Sequence, residues 1–419
     1  MDKIRIKLYD FLLCISKAQD LVSHKLNNHQ QMVAYLSYKL VEQLDLSSVA
    51  CQRIFMAGLV HDIGSLSSNE KLEIVEAETP NINSHAFRGA KLIDCFKPTQ
   101  EISDMIRYHH IPWENGKGRY CKDNEIPLES HILHLADRVC VKIKPAENIL
   151  VQIPQVIAEI KQNAGIQFNP GAVAALEMLA QKESVWLDLI SKNPADTLPD
   201  VLAAESFILG INDIIDLSQM FSQIIDFRSK FTARHSAGVA NTAKMLAELV
   251  GFSPYECKLM LVAGHLHDIG KLAISNDILE KPGKLDDSET KIMRTHTYYT
   301  YRLLEPINEF KVINEWASFH HERLDGNGYP FHLNDSYLSY GSRIMAVADV
   351  FTAITENRPY RVGMEDSKAM KVLKNMVTDK ALDRNVTEIL LDNFTEINKM
   401  RAEAQAAAKA RYEQFMKLK

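Results

Sequence analysis

What the chain lacks narrows its class first. It has no run of about 18 or more consecutive apolar residues, so no membrane-spanning helix is expected. The opening segment MDKIRIKLYDFLLCISKAQD mixes charges among its apolar residues and has no small-residue cleavage site, which argues against a secretory leader. The six cysteines (Cys14, Cys51, Cys95, Cys121, Cys140, Cys257) show no C-x-x-C spacing, so free thiols in a reducing cytoplasm are expected. No long basic run occurs and the formal net charge is −6, which disfavours a large nucleic acid as partner. A small phosphate ester held by a few local cations remains compatible with that charge. Sustained period-2 alternation is also scarce, which removes sheet-rich architectures.

What remains is helical. Apolar content of 46% is ordinary for a globular protein, and 419 residues are too many for one typical core. After His235, the residues Val239, Thr242, Leu246 and Leu249 recur at three- and four-residue spacing and mark one helical face. The apolar run Lys258 to His267 ends at His267-Asp268-Ile269-Gly270, where the glycine is expected to stop a buried helix. The fold class is therefore all-α, with at most a minor hairpin near Gly328-Tyr329-Pro330. The stretch NPADTLPD, between Pro194 and Pro199, suits a connection between halves. The segment from about residue 398 to Lys419 is rich in Ala, Lys, Glu and Arg without Gly or Pro. It is expected to be a solvated helix, with pairing to a second copy in a homodimer as the alternative.

Histidine carries the information. Ten of the fifteen fall in two matching sets. The first half contains His29, then His61-Asp62 in VHDIG, His85, His109-His110 and Asp137. The second contains His235, then His267-Asp268 in LHDIG, His296, His320-His321 and Asp349. The first interval is 32 residues in both halves and the step from the third histidine to the HH pair is 24 in both. Between them, the segment from the HD aspartate differs, 23 residues against 28, and the last interval is 27 against 28. Equal intervals around unequal loops mark a duplication. Two tandem helical domains are therefore expected, at 1–190 and 206–419, joined by a linker at 191–205.

In the second half, five imidazoles and two carboxylates exceed what one metal usually takes from protein but suit two ions sharing a bridging carboxylate. Asp268 is the natural bridge and His267 a terminal ligand. Nitrogen and oxygen donors with open positions fit Fe or Mn, and sometimes Zn or Ni, better than Ca or Mg. Two such ions about 3.5–4 Å apart can hold a hydroxide and clamp phosphate oxygens during an in-line displacement. The set, together with HDIGK (His267 to Lys271), ILEKPGKL (Ile278 to Leu285), HHERLDGNGYP (His320 to Pro330) and ADVFTAITENRPYR (Ala348 to Arg361), resembles the HD superfamily of metal-dependent phosphohydrolases. Within it the resemblance is to the HD-GYP branch, the bacterial cyclic dinucleotide phosphodiesterases.

That resemblance implies tandem HD-type domains and makes His235, His267, Asp268, His296, His320, His321 and Asp349 the ligands of two divalent ions. It implies catalysis by Asp268 and Lys271, phosphate contacts from Lys271 and Arg358, and a pocket edge shaped by Gly328, Tyr329 and Pro330. The implied activity is hydrolysis of cyclic di-GMP or 3′,3′-cyclic GMP-AMP to the linear dinucleotide, in second-messenger signalling. A general HD-type nucleotide phosphohydrolase and a non-catalytic cyclic dinucleotide sensor are the alternatives. Some members place a glutamate four residues before the first histidine to help hold a third metal. Here that position is Phe231, which implies two ions unless a ligand from elsewhere recruits a third.

The first half keeps all seven candidate ligands but loses the substrate residues. Ser65 replaces the lysine of HDIGK, Ala146 stands where the second half has Arg358, and HHIPWENGKGRY lacks Gly-Tyr-Pro. The expectation is a degenerate HD domain, regulatory or scaffolding, whose His/Asp set either binds metal or persists as a hydrogen-bonded polar core.

Overall fold

Helix starts are written into the sequence as short polar caps. Ser253 accepts from the Glu256 amide while Glu256 reaches back to the Ser253 amide, and Pro254 opens the helix between them. Asp286 and Glu289 form the same reciprocal pair. Asn169 with Pro170, Ser339 and Asp383 cap three more helices through side-chain oxygens.

The computed structural model describes residues 4–21, 28–65, 83–144, 146–198, 207–228, 234–281, 283–357 and 362–417. Their regular secondary structure is almost wholly helical. Contacts divide the chain into two units, Lys7–Ile208 and Leu209–Lys419 together with the N-terminal residues up to Ile6.

The first unit runs α1 (Leu8–Asp20), α2 (His29–Gln43), α3 (Ser48–Val60), α4 (Asn83–Asp94), α5 (Ser103–Arg107), α6 (Leu128–Lys142), α7 (Ile149–Gln162), α8 (Pro170–Leu179) and α9 (Glu183–Leu189). Between α5 and α6 lies an antiparallel hairpin, β1 (Tyr120–Cys121) against β2 (Asn124–Glu125). The second unit runs α10 (Ile211–Arg228), α11 (His235–Leu249), α12 (Pro254–Leu266), α13 (Asn276–Leu279), α14 (Asp287–Leu304), α15 (Lys311–Ser318), α16 (Tyr340–Thr355), α17 (Asp366–Thr378), α18 (Arg384–Asp392) and α19 (Phe394–Lys417). No described helix is long and apolar enough to cross a membrane.

The two units repeat one packing scheme. In the first, α2 packs on α3 and α6; in the second, α11 packs on α12 and α16. Val239, Thr242 and Leu246 are buried as the periodicity predicts, each buried aliphatic contributing about 1.5–3 kcal/mol. Leu249, the last residue of α11, is exposed instead. The helix crossings are tight at equivalent glycines. A Cβ on Gly264 would lie 2.3 Å from the Ala240 Cα, and one on Gly58 would lie 2.5 Å from the Ala34 Cα.

The HDIG glycine does not stop a helix. Helix α12 ends at Leu266 with His267 in right-handed conformation, and Gly270 lies in the following 3-10 turn, Ile269–Ala273. Its need for a bare Cα comes from close approach, since a Cβ there would sit 1.9 Å from the His296 carbonyl oxygen. Gly64 is pressed on the His85 carbonyl at 2.1 Å in the same way. In each unit this glycine seats the HD turn on the helix that carries the next histidine.

Three other expectations need adjustment. Near Gly-Tyr-Pro the pairing shrinks to a single antiparallel bridge, Asp325 with Asn334, while the hairpin follows the HH loop of the first unit. Pro194–Thr197 is a 3-10 turn packed on α2, with Ala195 and Leu198 buried; Pro199 lies outside the described residues. The C-terminal helix is not simply solvated. Helix α19 packs along α11 and buries Ile397, Arg401, Gln405 and Ala408, with Gln405 seated against Gly238. No cysteine is disulfide-bonded, and Cys14, Cys51, Cys140 and Cys257 are buried.

Candidate metal centre and its duplicate

Each element of the second unit delivers its ligand from an end or an inward face. His235 opens α11, His267 caps α12, His296 lies within α14, His320-His321 follow α15, and Asp349 sits inside α16. His235, His267, Asp268, His296, His320 and Asp349 are buried, and His321 is partly so. The donor atoms converge. Asp268 spans the centre, with His267 Nε2 3.2 Å from Oδ2 and His296 Nε2 3.4 Å from Oδ1. His235 Nε2 lies 3.0 Å from Asp349 Oδ1, His321 Nδ1 3.7 Å from Asp349 Oδ2, and His296 Nε2 3.4 Å from His320 Nε2. All seven sequence-predicted ligands are thus brought together, with His235, His267 and Asp268 forming one tight group of donor atoms and His296, His320 and His321 another.

The outer contacts aim these nitrogens. His267, His296 and His320 donate Nδ1–H to the carbonyls of Gly264, Met293 and Ala317, at 2.7, 2.6 and 2.6 Å, leaving Nε2 inward as an acceptor. Burial drives the His296 pKa down to about 3 and that of His320 well below its ordinary range, so both are neutral, as a ligand must be. Burial would raise the Asp268 carboxyl, but His267, Lys271 and His296 around it hold it well below the usual carboxylate range. Burial lowers His235, and the carboxylates of Glu356 and Asp349 outweigh it, giving about 10. His267 Nε2 has no hydrogen-bond partner although fully buried. A buried acceptor nitrogen beside the Asp268 carboxylate and the His235 and His320 rings fits a cation, and donor separations of 3.0–3.7 Å suit neighbouring ligands at bond lengths of about 2.0–2.2 Å.

Around this centre lie the substrate candidates. Lys271 Nζ is 2.5 Å from Asp268 Oδ2, and its side chain is partly exposed. The Tyr329 ring stacks 4.9 Å from His321, with the Arg294 guanidinium 5.1 Å from its centre. Gly328 must be glycine, since a Cβ would meet the Glu322 Cα at 2.4 Å. Pro330 follows through a cis peptide bond. Arg358 and Phe231 lie outside the described residues.

Three residues escaped the sequence reading. Glu322, buried, accepts the amides of Phe331 at 2.7 Å and Leu333 at 3.0 Å and so staples the Gly-Tyr-Pro loop; nothing in composition singles it out. Arg294 lies two residues before His296, and only the loop's position brings it to Tyr329. Glu356, buried, faces His235 Nδ1 at 3.2 Å. It stands seven residues after Asp349, two helical turns on, a signal that could have found it.

The first unit assembles the same geometry. His29 Nε2 lies 3.2 Å from Asp137 Oδ1, His61 Nε2 3.4 Å from Asp62 Oδ2, His85 Nε2 3.3 Å from Asp62 Oδ1, and His110 Nε2 3.2 Å from His85 Nε2. His61 and His109 donate Nδ1–H to the carbonyls of Gly58 and Ile106. Two protein groups intrude, from positions where the second unit has Ser236 and Val350. Gln30 Nε2 donates to Asp62 Oδ2 at 3.1 Å, and Arg138 holds Asp137 Oδ2 at 2.6 Å. Ser65 is buried and offers no cation. The HHIPWENGKGRY loop is zipped onto the chain after α7, with the amides of Trp113, Glu114 and Asn115 donating to the carbonyls of Gln167, Ile166 and Gly165. Ala146 is exposed.

Two family models, each described as an HD domain, match residues 27–141 and 219–386. The 3′3′-cGAMP-specific phosphodiesterase 1 of Vibrio cholerae serotype O1 is 32% identical over 398 residues, covering 93% of this chain and 92% of that protein. The cyclic di-GMP phosphodiesterase response regulator RpfG of Xanthomonas campestris pv. campestris is 37% identical over 188 residues, 44% of this chain and 48% of its own. Among solved structures, a cyclic GMP-AMP specific phosphodiesterase of V. cholerae superposes with a TM-score of 0.66 at 24% identity, covering 94% of this chain and 98% of the other. That likeness concerns the fold.

Proposed function

We propose, for a chain that belongs to the HD-domain cyclic dinucleotide phosphodiesterases, that catalysis resides in the Leu209–Lys419 unit, as an HD-GYP centre, and that the first unit regulates or scaffolds it. The observation that carries this is the pairing of a complete ligand set with Lys271 in one unit, where the other has the buried Ser65 at the lysine's position.

His235, His267, Asp268, His296, His320, His321 and Asp349 would hold two divalent ions, Fe or Mn by donor type, with Asp268 between them. When bound, such ions supply charge for phosphate oxygens and an activated water. The protein contributes the rest. Asp268 orients Lys271 through their ion pair, and Lys271 Nζ is placed to donate to a phosphate oxygen as charge builds there. A cyclic dinucleotide carries two phosphates. Arg294, over the Tyr329 ring, offers a guanidinium for the second, alongside the one the resemblance assigns to Arg358. Tyr329 and the Gly328 backbone edge the pocket, and the buried Glu322 holds them there. The product is the linear dinucleotide.

Phosphodiesterase 1 of V. cholerae, which matches across both units, is named for 3′3′-cGAMP, whereas RpfG, named for cyclic di-GMP, matches less than half of the chain. This supports 3′,3′-cyclic GMP-AMP as the preferred substrate. Turnover of both dinucleotides by anaerobically prepared, metal-analysed protein tests the reading, with nucleoside mono- and triphosphates as controls. Faster hydrolysis of the mononucleotides would point to a general phosphohydrolase. Turnover by Asp268→Ala protein at the wild-type rate would overturn the site.

A further inference from the structure

The three histidines oriented by backbone carbonyls all use a carbonyl three residues back: Gly264 for His267, Met293 for His296 and Ala317 for His320. His235 has no such option, because it is the first residue of α11 and no turn of that helix precedes it. Its Nδ1 instead faces the Glu356 carboxylate at 3.2 Å. Glu356 caps the C-terminus of α16, the helix that also carries Asp349, so one helix brackets the imidazole from both nitrogens.

Glu356 is itself held. Gln405 Nε2, from α19, donates to Glu356 Oε2 at 3.1 Å, and Arg401 Nη1 donates to Gln405 Oε1 at 2.5 Å. Arg401 is fixed in turn by Asn398 Oδ1, at 3.1 Å to Nε and 2.8 Å to Nη2. Glu356, Arg401 and Gln405 are all buried. The close approach of α19 depends on Gly238, one turn after His235 on α11, where a Cβ would meet Gln405 Nε2 at 2.8 Å. At the matching place in the first unit, seven residues after Asp137, stands Lys144, which is exposed and paired with Glu147 at 3.1 Å.

We propose that Glu356 is a positioning residue for the metal centre, fixing the His235 tautomer, and that the C-terminal helix acts on that centre by holding Glu356 through Gln405 and Arg401. A carboxylate on the far nitrogen of a ligating imidazole aims the near nitrogen at the metal and raises its basicity. Docking of α19 and retention of metal are thereby coupled. This rests on the reading of His235 as a ligand.

The test uses full-length, chelator-stripped protein titrated with Mn²⁺ against a chromogenic chelator, with the melting temperature of each metal-free protein measured in parallel. Glu356→Gln should weaken Mn²⁺ binding by about 10–100-fold, the range for loss of such an outer partner, with metal-free melting close to wild type. Gln405→Ala, which leaves the carboxylate in place, should weaken it in the same direction by less. Wild-type affinity in Glu356→Gln, or lowered metal-free melting with affinity unchanged, overturns the positioning role. Wild-type affinity in Gln405→Ala overturns the coupling to α19, and this variant keeps the proposal testable if Glu356→Gln fails to fold. Failure of the wild-type protein to bind Mn²⁺ would instead sink the metal reading itself.

Discussion

At the scale of single residues, Lys271 and Gly328 separate chemistry from shape. Lys271 pairs with Asp268 Oδ2, so removing its ammonium should leave the imidazole donors in place. Lys271→Ala is expected to lower kcat by about 100-fold, the scale for losing one preorganised donor, with Mn content unchanged by elemental analysis. Gly328 touches no ligand, yet a Cβ there would overlap the Glu322 backbone. Gly328→Ala should displace Tyr329 and raise KM for the dinucleotide several-fold. The strain should cost about 1–3 kcal/mol of stability, readable as a lower melting temperature with metal content retained.

At the scale of elements, the glycines of the helix crossings carry the fold and the HH loops carry the function. Gly58 and Gly264 sit at equivalent places, three residues before the HD dipeptides, and each lets two helices meet backbone to backbone. Gly264→Ala should destabilise the second unit by about 1–3 kcal/mol through overpacking and weaken Mn²⁺ binding with it, because α11 and α12 carry His235 and His267. The loops diverge after the HH pairs. In the second unit the loop is pinned to the buried Glu322 and presents Tyr329 beside His321. In the first it is hydrogen-bonded along Gly165–Gln167, and its Trp113 ring packs on His131 at 5.1 Å between centres. Its backbone donors are consumed inside the protein, and none of the three is left for phosphate.

At the scale of the whole molecule, the duplication is asymmetric in chemistry though matched in ligands. Asp62→Ala should therefore leave cyclic dinucleotide turnover measurable, whereas Asp268→Ala should abolish it, as followed by chromatographic separation of cyclic and linear products. Deletion of residues 1–190 is expected to change turnover, metal content or folding of what remains, and preservation of all three would remove the regulatory or scaffolding role.

The order and spacing of the candidate ligands are legible in the sequence because this His/Asp cluster is built from a local pattern that is repeated. Apart from His296, which lies within α14, each histidine falls near a helix end or within a short motif, and the duplication printed the pattern twice, with 32- and 24-residue steps intact. The all-α class followed from periodicity, and the loss of the lysine at Ser65 from simple alignment of the halves. Other features were decided only by tertiary contact. Glu356 reaches His235 across 121 residues and Gln405 reaches Glu356 across 49. The glycine of HDIG is needed for a carbonyl that belongs to another helix. The C-terminal helix, whose composition reads as solvated, buries Arg401 and Gln405 because its partners are a polar network and a glycine on α11. Periodicity records which face of an element is apolar. A hydrogen bond between distant polar groups depends on where those faces are brought, and that is settled only when the helices pack.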